Sequence, residues 1–327
     1  MKISVRAFPA LLAAALLLGF TSLSARADTE GHFDRTLNVT GPVDLDVQTG
    51  SGDIVVHPGT SDKVEIHAKV HASGWHVGGD VEQRIQEIEK NPPIEQNGNT
   101  IVVGHTQDRE LFRNISISYD LTVPAETKLR SASGSGDERI QGINGSADVT
   151  SGSGSLQLSN IGAETHARSG SGDIELQSIR GSVRASTGSG SIHATGVAGG
   201  FTGSSGSGDV RVEQTAAGDV EIGTGSGTVE VRGANGAVHV QTGSGNITAQ
   251  GQPKGDWKLR TGSGDLDVQF PATAAYELSA HTGSGSIHTT QEMTVQGTIS
   301  ARELRGKVHG GGSLVEVSTS SGSINIH

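Results

Sequence analysis

The stretch that decides the fold is Ala237-Val238-His239-Val240-Gln241-Thr242-Gly243-Ser244-Gly245-Asn246-Ile247-Thr248-Ala249. Ala237 to Gln241 alternates apolar and polar residues, the period of a half-buried strand, and Asn246 to Ala249 does so again. Between them, Thr242-Gly243-Ser244-Gly245 reads as a small-residue turn in which Gly can supply φ > 0 without steric cost. Gly251 marks a return corner. The same phase recurs in Val220, Ile222, Val229 and Val231, and in Trp257, Leu259, Leu266 and Val268.

Working outward, the block [Ser/Thr]-Gly-Ser-Gly-x-[Ile/Leu/Val] begins at Thr49, Ser151, Ser169, Thr187, Ser205, Thr224, Thr242, Thr261 and Thr282. A degenerate copy starts at Ser133, with Glu138 in the aliphatic position, and another at Thr319, with Ser320 replacing the first Gly. From Ser133 to Thr282 the steps are 18, 18, 18, 18, 19, 18, 19 and 21 residues. Internal repetition of this kind means stacked units, because one two-strand unit cannot bury its apolar face alone. The expected fold is all-β: a β-solenoid, or β-helix-like stack of ~18-residue coils, two strands per coil, hydrogen-bonded at ~4.8 Å spacing. Nine coils from Ser133 to the Thr282 copy would make a rod of roughly 40 Å. Its interior would hold Val, Ile, Leu and Ala with Phe201, Trp257 and Tyr276. The residue after each turn reads Asp137, Ser155, Asp173, Ser191, Asp209, Thr228, Asn246, Asp265 and Ser286, so no two adjacent coils of this run carry Asp there. Stacked carboxylates would repel. These short side chains are expected to bond their own turn backbone.

Three regions follow: a leader at 1–27, a first coil plus capping insertion at 28–132, and the repeat solenoid at 133–327. Lys2 and Arg6 precede the apolar run Ala10 to Phe20, and Ala25-Arg26-Ala27 is a small-x-small cleavage pattern. This reads as an export signal that leaves Asp28 first in the mature chain. In the insertion, Lys63–Val70, Ile101–Val103 and Asn114–Val123 read as strands. Asp80 to Lys90 reads as a helix, with Val81, Ile85 and Ile88 on one face and Asn91-Pro92-Pro93 ending it. Residues 57–132 are expected to cover one open edge of the solenoid, since bare edges invite aggregation. At the other end, Gly310-Gly311-Gly312 reads as a flexible link to a last coil, leaving an open edge capable of self-association.

Hydrophobic residues are 33% of the 327, aromatics 3%, and Gly occurs 49 times, too little bulk for a thick spherical core. The net charge is −11, and because residues 1–27 hold three basic residues and no acid, the remainder carries −14. Such a surface repels nucleic acid and anionic lipid. No second apolar stretch approaches membrane length, so the mature chain is expected to be soluble. The chain has no Cys, hence neither a disulfide nor a lipid-modified Cys.

Phe33-Asp34-Arg35-Thr36 leading into Gly41-Pro42-Val43-Asp44-Leu45, then Thr49-Gly50-Ser51-Gly52-Asp53-Ile54, Leu121-Thr122-Val123-Pro124 and the repeated S-G-S-G-D-I blocks carry a family resemblance. Over nearly the whole mature chain it resembles a bacterial putative-adhesin family of β-strand-repeat proteins, a domain-of-unknown-function group. The resemblance implies a β-helix-like fold and export to the envelope, and supplies no catalytic residues.

No chemistry concentrates in the sequence. The Gly-rich turns lack the Lys-Ser/Thr of a phosphate loop and the helix-opening third Gly of a dinucleotide site. No Gly-x-Ser-x-Gly elbow distinguishes one Ser as a nucleophile. Turn Asp residues about two coils apart, near ~10 Å, cannot share a calcium ion whose ligands sit at about 2.3–2.6 Å. His67 and His71, with Trp75 and His76 nearby, share a strand face at roughly 13 Å, too far to chelate one zinc directly. In the outward ladders, Glu175 and Glu230 lie three coils apart, near ~14 Å, beyond the usual glycosidase pair separation of about 5–9.5 Å. The expectation is therefore a non-enzymatic, adhesin-like binding protein without catalytic, cofactor or metal residues. It would be periplasmic or at the cell surface, and its partner an unknown protein or glycan surface. The rival readings are a periplasmic structural or assembly scaffold and a polysaccharide-active β-helix enzyme.

Overall fold

The structure, a computed structural model, describes residues 30–72, 79–105, 108, 110–295 and 300–327. The export signal expected at 1–27 lies outside the described residues, as do Trp75 and His76.

Among the described residues the alternating strands form two facing sheets, of 14 and 15 strands. Setting aside two antiparallel strands of the first sheet and three of the second, each sheet has twelve parallel rungs, so the molecule is a solenoid of twelve coils. At ~4.8 Å per rung the rod is about 50 Å long. Most rungs are in regular register: Val149 pairs with Ala167 in one sheet and Leu158 with Leu176 in the facing one. Inward columns are aliphatic, as in Ile174, Ile192, Val210, Val229, Ile247 and Leu266, all buried. Phe201, Trp257 and Tyr276 are buried as well.

Coils are named below by the residue that opens their turn. The Thr49 coil comprises Val43–Thr49 and Ile54–Pro58. Beyond it lies a coil without a Gly-Ser-Gly turn, formed by Thr100–Val103 and Ile115–Val123, which pairs with it in parallel. Strands Lys63–Ala72 and Glu30–Asn38 extend the first sheet antiparallel, and Ile94–Asn97 extends the second. The helix Gly79–Lys90 buries Val81, Ile85 and Ile88 and lies against Glu30–Asn38, where Glu89 Oε1 accepts from the His32 N–H at 2.8 Å. Antiparallel strands and the helix, part of them from Glu30–Asn38 ahead of the first coil, thus cover this end of the rod.

The opposite end corrects the sequence expectation. The final segment, Ser313–Ser321 and Ile324–Ile326, is not the last coil. It lies between the Thr261 and Thr282 coils and pairs in parallel with both. The outermost coil is the Thr282 coil, and Glu303–Val308 and Met293–Val295 extend its sheet antiparallel. Gly310-Gly311-Gly312 is a shaped turn, not a loose link: Gly310 and Gly311 have φ of 87° and 90°, and a Cβ on Gly312 would sit 2.6 Å from the Ala275 carbonyl oxygen. A self-associating edge at the last coil is therefore ruled out as the sequence framed it, because that coil has a neighbour on both sides. The outward ladders change too: Asn325 separates Asp267 from His288, and Glu316 separates Lys258 from Ser279.

Two turn assignments are also revised. Gly52, Gly264, Gly285 and Gly322 have positive φ, at 140°, 156°, 147° and 151°, but Gly136, Gly154, Gly172 and Gly190 at the same turn position do not; a Cβ on each would overlap the carbonyl of the stacked turn, Gly136 against Gly52 and Gly172 against Gly154. Glycine is required there by the approach of one coil's backbone to the next. The turn carboxylates bond the neighbouring coil rather than their own. Asp53 accepts from the Asp137 N–H at 3.0 Å, Asp137 from Ser155 at 2.8 Å, Asp173 from Ser191 at 2.7 Å and Asp209 from Thr228 at 2.9 Å. The amide one rung along is a donor facing the carboxylate, so the column staples coil to coil.

Candidate functional site

His67, His71 and Glu230, candidates for chemistry in the sequence, are engaged in surface pairs. His67 Nδ1 is 2.6 Å from Asp34 Oδ1 and His71 Nδ1 is 3.4 Å from Glu30 Oε1, each on the adjacent antiparallel strand. Glu175, His193, Arg211 and Glu230 form consecutive rungs, so the two glutamates are three coils apart. Glu230 is ion-paired with Arg211 at 3.4 Å and also with Arg232. Among the described residues no group of three or more His, Cys, Asp or Glu could hold a metal ion.

A concave site does exist, where the repeat loses its regularity. In the regular coils a residue with left-handed backbone precedes the corner: Gly142, Asn160, Ser178 and Gly196, at φ 69°, 56°, 58° and 69°. Each turns the following residue, Ile143, Ile161, Ile179 or Val197, into the bore. The Ser205 coil has no such residue. Glu213 points out, Gln214 turns directly in, and the register shifts so that Gln214 pairs with Val197. The Thr242 coil does the same, with Gly251 paired to Ala234 across a second shift. These are the two coils with 19-residue steps. Irregular strand pairing of this kind re-aims side chains and bends the sheet locally.

The result is a groove of about 570 Å³ at the corner of the Ser205, Thr224, Thr242, Thr261 and Thr319 coils. Its polar wall carries Glu213, Arg232, Gln250, Gln269 and His327; Phe270 and Pro271 supply an apolar side. Glu213 faces Arg232 in register and Gln250 faces Gln269. His327 reaches the groove because its coil is interleaved there: the Phe270 N–H donates to the His327 carbonyl at 2.9 Å. Phe270 is held from behind by Tyr276 and Trp257, with ring centroids at 4.5 and 5.1 Å. Gln214 forms part of the lining although only 4% exposed. Its Nε2 donates to the Gly199 and Gly218 carbonyls at 2.9 and 3.3 Å, while Oε1 has no hydrogen-bond partner. The arrangement can bind by hydrogen bonding and apolar contact. Among the described lining residues Glu213 is the one Asp or Glu side chain. The sequence signal for this groove was the pair of 19-residue steps, which read as constancy of the repeat rather than as its interruption.

Among the described residues one carboxyl is buried in the bore. Glu138 is 1% exposed, between Ile54 and Leu156 in its column. Ser131 Oγ donates to its Oε2 and Oε1 has no partner. Burial pushes its carboxyl up to about 7, against the opposing pull of the bonds from Ser131 and the Ser133 backbone.

Residues 167–327 match the Toastrack family of unknown function, DUF4097, so the resemblance read from the repeats holds over this part of the solenoid. Among solved structures, the chain is similar to a putative cell adhesion protein from Clostridium sporogenes, at 12% identity over 90% of this chain and 99% of that one, with a TM-score of 0.20. It is also similar to a putative adhesin from Bacteroides fragilis, at 14% identity over 91% and 97%, with a TM-score of 0.33. A third is a putative lipid binding protein from Parabacteroides distasonis, at 10% identity over 90% and 96%, with a TM-score of 0.36. No curated protein matches.

Proposed function

We propose that this chain is an exported, non-enzymatic binding protein of the bacterial envelope, adhesin-like in presenting a rigid polar surface to a partner. The observation that carries this reading is the corner groove, a built concavity that offers hydrogen-bonding side chains around the Glu213 carboxylate. Export is supported by the charged, apolar and small-residue order of residues 1–27. Among the described residues no helix is long and apolar enough to cross a membrane. A scaffold growing from the last coil loses its basis, because that coil is internal. A polysaccharide-cleaving enzyme is disfavoured by the separated and ion-paired Glu230.

The test has two parts. Intact native cells are treated with external protease alongside a periplasmic control, and purified protein is assayed for binding to cells and envelope extracts. The proposal expects saturable binding to envelope material and, for the adhesive form, degradation with the control intact. Protection until the outer envelope is opened would end the adhesive form. Absence of binding to any cell or envelope fraction would end the binding reading altogether.

A further inference from the structure

Resting on that binding reading, we propose that the corner groove is a subsite for a neutral, extended glycan whose sugar rings lie along the rod axis, about one ring per coil. The first reason is Gln214. Its Oε1 is a buried acceptor without a donor, in a residue that lines the groove. Such a group is destabilising when left unsatisfied. The oxygen is enclosed behind the groove, so a ligand hydroxyl reaches it only when the Gln214 side chain shifts, and an anion has no proton to give it even then. The second reason is the amide ladder. Gln250 and Gln269 are in register on neighbouring rungs, and each amide is both donor and acceptor, as each sugar hydroxyl is. The third is charge: Arg232 is ion-paired with Glu230 and His327 with Asp267, so among the described residues the wall offers no free cation to an anionic ligand. The fourth is the apolar side, supplied mainly by Pro271 because Phe270 is nearly buried, which suits the C–H groups of a sugar.

Geometry sets the orientation. Rungs recur at about 4.8 Å, close to the length of one hexopyranose ring, so an extended β-1,4 chain keeps step with the coils while a curved α-1,4 chain falls out of step. A volume of about 570 Å³ lies within the ~300–1,000 Å³ of small-ligand sites. A peptide strand would instead seek an unpaired sheet edge. Here the wall stands on interior strands such as Ile247–Gly251, which has a parallel neighbour on each side.

The test is calorimetric titration of the full mature chain with cellohexaose, xylohexaose, chitohexaose and maltohexaose, and with a neutral Gly-Ser hexapeptide. The expected result is binding of at least one extended β-1,4 hexamer, with maltohexaose and the peptide at least tenfold weaker. Gln250→Ala with Gln269→Ala should weaken binding at least tenfold without moving the thermal midpoint. Gln214→Leu should also weaken it, and Gln141→Ala with Gln177→Ala, on the regular coils, should leave it unchanged. Binding by none of the saccharides, preference for the peptide or maltohexaose, or equal affinity in the Gln250/Gln269 variant would overturn the assignment. If the Gln250/Gln269 variant still binds envelope extracts as the parent does, only the groove inference falls; if the parent binds no envelope material, the binding reading itself falls.

Discussion

Ser131 and Glu138 stand where the coil on one side holds Val47 and Ile54 and the coil on the other holds Val149 and Leu156. One polar pair thus replaces an aliphatic pair inside the bore. The folded-state carboxyl, at about 7, lies above its ordinary value of 4.5. Its contribution is therefore fully present below pH 4.5 and is lost as pH rises through 7, because the unfolded chain ionises first. The loss is on the order of 3 kcal/mol. Thermal melts from pH 4 to 8 should show the midpoint falling across this window, and Glu138→Ile with Ser131→Val should raise it at pH 8 and flatten that part of the profile. An unchanged profile in the double variant would disprove this assignment. The sequence displayed Glu138 as a flaw in one block, but its partner Ser131 lies on the facing strand, and only the fold brings the two together. The turn hydroxyls were legible as structural and not as paired: Ser169 Oγ donates to the Gly154 carbonyl at 2.9 Å and accepts from the Gly172 N–H at 2.8 Å.

At the scale of the coil, two kinds of glycine separate. Gly172 has the backbone of the Gly154 turn where a Cβ would go, while Gly223, inside Val220–Thr224, has open space. Gly172→Ala should destabilise by about 1–3 kcal/mol, and Gly223→Ala should be neutral or stabilising by up to about 1 kcal/mol. Urea unfolding of the two variants checks this, and equal losses would refute the stacking account of the turns. Strand phase, turn position and inward residues were readable because alternation is a local signal, and the helix was readable from Val81, Ile85 and Ile88. The corner groove was not, since Gln214, Arg232, Gln250 and Gln269 are 18 or 19 residues apart and each reads singly as surface polarity. Only register makes them one wall, and the loss of the left-handed corner residue in coils such as those of Ser205 and Thr242 accompanies its concavity.

For the whole molecule, both ends use one device. The Thr49 coil, first of the repeat copies in the chain, lies one rung inside the coil of Thr100–Val103 and Ile115–Val123, and the Thr319 coil, last in the chain, lies one rung inside the Thr282 coil. Antiparallel strands then continue the outermost coils. This order was invisible in the repeat, because the Thr261, Thr282 and Thr319 turns have nearly the same sequence and each could stack on either other. The interleaving also brings His327 to the groove beside Phe270, so site and topology stand together. The chain has no Cys, which permits a direct test by cysteine pairs. In the interleaved order Asp267 and Asn325 are neighbours on parallel strands, about 4.8 Å apart. Asp267 and His288 are then two rungs apart, roughly 10 Å, beyond the ~7 Å limit for a disulfide. Mild oxidation should close the disulfide in Asp267→Cys with Asn325→Cys and leave Asp267→Cys with His288→Cys as free thiols. The reverse pattern would place the Thr282 coil directly on the Thr261 coil and contradict both the interleaved end and the groove built on it.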